Sequence, residues 1–297
     1  MIGQCIRPSN LEEVLEILDG QRNQVQLIAG GTDFVISLRQ KGCGKHMLVD
    51  ISKLKELRFI QMEDREIIIG AGTRFADIVG HQGMKNLCPG LWKACQWMGS
   101  PQIRNMGTIG GNICNGSPAA DAVPPLLALD AQAVIKRKDM TRTVALKDFY
   151  LDKGKVALGD SEILYAVRFL KPREKEHMDF EKLGFRKALA IARVSCAVFL
   201  SLEGDATIRE IRIATGALGP YPQRETQVER GLKGKKISEE LLRQGIKEMA
   251  GLVEARLRGR SSALFKGEAI QGLFRRAFYG AMKGVKGYGA HSSYGEW

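Results

Sequence analysis

The sequence predicts an α+β protein, and three observations predict it. Residues 1–50 alternate short apolar runs with helix-spaced patterns. Beyond Lys171-Pro172-Arg173 the alternation gives way to a series of strand-like runs. Two long helical patterns follow. A chain of 297 residues is long enough to bury one large core or two smaller ones.

Each element has a local reason. Residues 9–19, SNLEEVLEILD, place apolar side chains at helical spacing behind a Ser or Asn cap, with acids in the first turn. VQLI (25–28) is a short strand running into glycines, DFVISLRQK (33–41) is helix-like, and HMLVDIS (46–52) is a second strand, so this region reads as a β-α-β unit. REIIIGAG (65–72) is a third strand, followed by a helix from Arg74 to Gln82. AQAVIKR (131–137) and EILYAVRFL (162–170) are further strands. Lys171-Pro172-Arg173 breaks the pattern and marks a domain boundary. Residues 180–218 read as strands with a turn at Gly204-Asp205. SEELLRQGIKEMAGLVEARL (238–257) is a long helix with Glu239 and Glu240 at its positive end. EAIQGLFRRAFYGAMKG (268–284) is another, and the Gly/Ser-rich stretch 286–297 reads as a tail.

Composition narrows the function classes. Apolar content of 44% and charged content of 26% are ordinary for a globular chain. The net charge of +12 raises the question of nucleic acid, but the charge is spread along the chain, aromatics are 7%, and no basic run is interleaved with Phe or Tyr as on a stacking platform. A basic binding module is therefore the weaker alternative. An anionic cofactor or an acidic partner accounts for the charge more simply. No apolar run approaches the ~20 residues of a membrane helix. MIGQCIRPSNLEEV lacks a basic region followed by an apolar block, so no secretory signal is expected. The six cysteines, Cys5, Cys43, Cys88, Cys95, Cys114 and Cys196, form no C-x-x-C. A zinc ribbon, a thioredoxin-like site or an iron–sulfur motif on this chain is thereby disfavoured, and free thiols in a reducing, cytoplasmic compartment are expected.

Three glycine clusters carry the chemistry. Gly70-Ala71-Gly72-Thr73-Arg74-Phe75 opens like a dinucleotide fingerprint. Its sixth position is Phe75, where a small residue is needed, and no Asp or Glu occurs between Asp77 and Asp121 to hold a ribose. It reads as a strand-to-helix turn. Ala29-Gly30-Gly31-Thr32-Asp33 ends a strand, and Thr108-Ile109-Gly110-Gly111-Asn112 repeats the paired glycines. Glycine lets backbone N–H groups approach a ligand, and successive N–H groups form nests for anions. Taken alone, either cluster also fits a tight turn. Two nests in an acid-free stretch suit a pyrophosphate, and Asp121 suits the hydroxyls of a sugar or polyol.

AGGTD (29–33), TIGGN (108–112), SPAAD (117–121) and VPPLLALDA together resemble the FAD-binding medium subunits of the molybdenum hydroxylases, of the carbon monoxide, xanthine and nicotinate dehydrogenase types. The likeness runs over nearly the whole chain and includes EIL (162–164), the K-x-x-x-R of Lys182 to Arg186, and GPYPQR (219–224). It implies a two-subdomain FAD-binding fold of the vanillyl-alcohol-oxidase type over 1–172, split near residue 57, and an α+β C-terminal domain over 173–285. FAD is then expected to lie extended between the two subdomains. Carried over by position, Leu27, Ile28, Ala29, Gly30, Gly31, Thr32, Asp33 and Phe34 wrap its pyrophosphate. Met98 and Gly99 contact it, and Thr108, Ile109, Gly110, Gly111 and Asn112 line a second side. Asp121 holds hydroxyls, Leu164 packs on the flavin, and Lys182 reaches toward it as the charge that tunes it. Leu189 stands three residues after Arg186, where xanthine-oxidising eukaryotic relatives have an acid, so their electron acceptor does not transfer to this chain.

The resemblance also implies the partners. Water-derived hydroxylation of an N-heteroaromatic or related substrate takes place at a molybdenum centre on a large subunit. Electrons pass through two [2Fe–2S] clusters on a small subunit to FAD here, and on to an acceptor such as NAD(P). No acid or base on this chain is expected to be catalytic. A self-sufficient flavin reductase or oxidase of the same superfold is the nearer alternative. It would need a substrate site of its own, for which no Ser–Glu arrangement stands out.

Overall fold

A computed structural model describes residues 3–42, 45–186 and 189–284, without the side chain of Lys41. Cys43 and the tail expected at 286–297 lie outside the described residues. The elements run β1 (Gln4–Ile6), α1 (Leu11–Gly20), β2 (Val25–Ile28), α2 (Phe34–Lys41), β3 (Met47–Asp50), β4 (Ile60–Met62), β5 (Glu66–Gly70) and α3 (Phe75–Gly80). A string of short helices follows: α4 (Gln82–Leu87), α5 (Pro89–Gln96), α6 (Pro101–Met106), α7 (Ile109–Cys114) and α8 (Val123–Ala128). Then come β6 (Gln132–Arg137), β7 (Met140–Ala145), β8 (Tyr150–Asp152), β9 (Lys155–Val156), β10 (Ile163–Leu170), β11 (Glu176–Leu183), β12 (Val194–Leu202), β13 (Ile208–Gly216) and β14 (Gln223–Arg224). The helices α9 (Thr226–Leu232), α10 (Glu239–Arg256) and α11 (Ala263–Gly284) complete the order.

The chain forms two compact units. The first comprises residues 1–80, 98–117 and 130–171, and the second 81–97, 118–129 and 172–297. In the first, β1, β3 and β2 form a parallel sheet in that order. Helix α1 presents Leu11, Val14 and Leu18 to a core with Val49, Leu54 and Leu57. The spacing of those three residues is that of one helix face. Asn10 caps α1 by accepting from the Glu13 N–H at 2.9 Å, and the Glu13 carboxylate accepts from the Ser9 N–H at 2.7 Å. The same unit holds an antiparallel sheet, β4-β5-β10-β6-β7. A bulge in β10 sets Leu164 opposite Ile135 and Ala166 opposite Val134.

In the second unit β11-β12-β13-β14 form an antiparallel sheet. All nine residues of β12 are buried, so both of its faces need cover. Val194, Cys196, Val198, Leu200 and Leu202 join the core that includes Phe274 and Phe278 of α11. On the alternate face Ser195 lies by Gly216, which Pro118 and Pro124 approach. Residues 81–97 and 118–129 thus belong with this sheet: α8, buried along its whole length, packs on β12 and β13, and α5 packs on β11.

Candidate functional site

In the first unit, the chain leaves β2 through Ala29-Gly30-Gly31-Thr32-Asp33 and enters α2. A Cβ at Gly30 would overlap the carbonyl oxygen of Met106, and Gly31 takes φ +70°, so both positions call for glycine. Among the described residues, the backbone N–H groups of Gly30 to Phe34 find no acceptor. Val35 N–H returns to Gly31 O at 3.0 Å, and the helix ladder begins there. A run of open amides at a helix entrance is an anion site in chemical terms. Leu27 packs instead against the core of this unit.

The second glycine pair differs from its expectation. Thr108 caps the six-residue helix α7. Its Oγ1 accepts from Gly111 N–H at 3.0 Å, while Ile109 N–H donates to Thr73 O at 2.9 Å, Gly110 N–H to Ala71 O at 2.9 Å and Asn112 N–H to Thr108 O at 3.0 Å. No nest of free amides exists here, because all four are spent on the fold. Gly110 is bare for packing, since a Cβ would come within 2.6 Å of Ala71. Gly111 is exposed, and a Cβ there would meet only Thr108 Oγ1. What α7 offers is Asn112, whose Oδ1 is buried and has no partner, and whose Nδ2 has only Met98 Sδ at 4.0 Å. An orphaned buried acceptor is a vacancy for a donor such as a ligand hydroxyl or imide N–H.

A pocket is lined by Ala29 and Gly30 from the β2–α2 turn, by Thr108, by Ile51, Ser52 and Leu54, and by Gly72, Arg74 and Met106. It thus brings residues of all three glycine clusters to one place: Gly30 lies against the Met106 carbonyl just before Thr108, and an antiparallel bridge ties Arg74 to Thr108. Arg74 and Ser52 are site residues that sequence reasoning does not single out, because only the folded chain brings them to this pocket. Met98 and Gly99 lie before α6, Gly99 at φ +46°, and their carbonyls accept from Arg104 at 3.1 and 3.0 Å. Leu164 is buried in β10, against which α7 packs.

In the second unit, Asp121 and Lys182 are both buried and pair at 2.7 Å. The Lys182 ammonium also donates to Trp97 O at 2.9 Å and Ala190 O at 3.2 Å, so its three hydrogens are all placed. Asp121 Oδ1 has no partner. Burial pushes the Asp121 carboxyl above its ordinary range, and the Lys182 charge opposes this only in part. Lys182 therefore acts first on Asp121, and Asp121 carries the open valence.

No group of three or more His, Cys, Asp or Glu side chains suited to a metal occurs among the described residues. The residues of the first unit fit FAD: open amides suit phosphate oxygens, and the orphaned Asn112 oxygen matches a hydroxyl or N–H donor.

Comparison with known proteins agrees. The family described as the FAD binding domain in molybdopterin dehydrogenase matches residues 2–171, and the CO dehydrogenase flavoprotein C-terminal domain matches residues 180–281. The nicotinate dehydrogenase FAD-subunit of Eubacterium barkeri is 33% identical over 284 residues, 94% of this chain and 96% of that one. The xanthine dehydrogenase FAD-binding subunit of Escherichia coli O157:H7 is 32% identical over 284 residues, 95% and 96% of the two chains. Among solved structures, the carbon monoxide dehydrogenase of Hydrogenophaga pseudoflava that lacks the Mo-pyranopterin moiety of the molybdenum cofactor matches with a TM-score of 0.88 at 26% identity, over 95% of this chain and 98% of that one.

Proposed function

This chain belongs to the family of FAD-binding flavoprotein subunits of the molybdenum hydroxylases, and from that premise we propose that it is the electron-transfer subunit of a multi-subunit enzyme. Electrons released when a molybdenum-binding large subunit hydroxylates an N-heteroaromatic or related substrate reach it through iron–sulfur clusters on a small subunit. They leave to an acceptor such as NAD(P). The relatives' own names, FAD-subunit and FAD-binding subunit, support a partnered chain. In this reading residues 1–172 form the FAD-binding domain and 173–285 the C-terminal domain.

FAD, when bound, supplies the chemistry that couples one-electron carriers to a hydride acceptor. The chain's own task is to hold and orient it. The open amides of Gly30 to Phe34 carry this assignment: they take the diphosphate, with Ala29 and Thr108 in the same pocket. Asn112 Oδ1 accepts from a donor on the cofactor. Met98, Gly99 and Leu164 supply wall. Asp121 meets a hydroxyl, and Lys182 positions Asp121.

A visible absorption spectrum of the purified chain is the direct test. Two flavin bands are expected, with FAD rather than FMN released on heating. A colourless protein that also fails to take up added FAD would sink the assignment.

A further inference from the structure

On the strength of that FAD assignment, we infer that Arg74 is the cationic clamp of the FAD diphosphate. Arg74 is the sole charged residue among those lining the pocket that also contains Gly30 and Thr108. Its guanidinium makes no hydrogen bond or ion pair with any described residue. The acid beside it is already committed. Asp77 receives two hydrogen bonds from Arg58, at 2.8 and 2.7 Å, and a third from the Arg74 backbone N–H at 3.0 Å. One carboxylate thus faces two arginines, and a positive charge is left over at the pocket. The segment 78–120 contains no Asp or Glu to neutralise it.

The root of the side chain is fixed. Thr73 Oγ1 is tied to Phe59 O at 2.8 Å, the Arg74 backbone bridges to Thr108, and Phe75 N–H donates to Gly107 O at 3.1 Å. A fixed root keeps the guanidinium within reach of the pocket, and its planar fork matches two phosphate oxygens. The open amides of Gly30 to Phe34 supply hydrogen bonds but no net charge. A diphosphate carries charge that such dipoles solvate without neutralising, and Arg74 completes what they leave undone.

The test uses the full chain stripped of FAD. Affinity for FAD, ADP and adenosine is measured at low and high salt for the wild type, Arg74→Gln and Arg74→Lys, with circular dichroism to check the fold. Arg74→Gln is expected to weaken FAD and ADP by a similar factor, about ten- to hundred-fold, to leave adenosine unchanged, and to flatten the salt dependence. Arg74→Lys should fall between the two. Folded Arg74→Gln that binds FAD within about two-fold of a tightly binding wild type overturns the inference and leaves the FAD assignment standing. Wild type that binds ADP no more tightly than adenosine overturns it without recourse to any variant. Wild type that binds no FAD at all removes the assignment itself.

Discussion

The Lys182 ammonium has three hydrogens and three acceptors, whereas the Asp121 carboxylate beside it has two oxygens and one donor. Burial, which the Lys182 charge offsets only in part, sets the pH behaviour of the carboxyl. The folded pKa of Asp121 lies above its unfolded value of about 3.9. Its contribution to stability is therefore complete below that unfolded value and drains away as pH climbs through the folded one. Asp121→Asn, a neutral isostere, should accordingly gain on the wild type as pH rises from about 4 toward 7. Urea titrations at several pH values check this, and a difference that stays constant with pH speaks against it. At this scale the sequence was informative where a residue was conspicuous. Asp121 ends a long acid-free stretch and Asn112 follows paired glycines, and both carry an unsatisfied oxygen. Arg74 was invisible because its meaning depends on Asp77 being shared with Arg58, a relation across a turn that no linear pattern encodes.

Among the elements, α7 shows how two adjacent glycines can have unrelated reasons. Gly110 packs its bare Cα face on Ala71, while Gly111 faces outward. Gly110→Ala should cost about 1–3 kcal/mol by overpacking, and Gly111→Ala, in an exposed helical position with only Thr108 Oγ1 close by, should be near neutral. Denaturant midpoints for the two variants separate the positions, and equal losses would contradict the packing account. The longer elements were legible from apolar spacing: α1, α10, α11 and the strands β2, β3, β5, β6 and β10 fall where periodicity puts them. The helices α4 to α8 were not, because six to eight residues make too few turns to display a period. The punctuation was there to be used. Ser100-Pro101 is a cap followed by a first-turn proline, and Ser100 Oγ accepts from Ile103 N–H at 3.3 Å.

For the molecule as a whole, composition bounded the class and the resemblance supplied the family, but the path of the chain between its two units had no local signature. Lys171-Pro172 is where the chain last passes from the first unit to the second. The earlier passages arise because β12 is buried on both faces, and one of those faces is covered by residues that precede it in sequence. No property of residues 81–97 or 118–129 announces a sheet that begins only at Glu176. A fragment ending at Lys171 should therefore leave the wholly apolar α8 with nothing to lie on. It is expected to partition into inclusion bodies or bind a hydrophobic dye to a greater extent than the full chain. A fragment that stays monomeric and dye-free would refute this.

The same threading matters before the protein is finished. On the ribosome, α5 and α8 emerge well ahead of β11, β12 and β13, and at ordinary rates of translation the wait is on the order of ten seconds. Through that interval VPPLLA is an exposed greasy segment on a nascent chain. Its burial is deferred until synthesis has passed Gly216, which makes residues 118–129 the natural place for a holding chaperone to act.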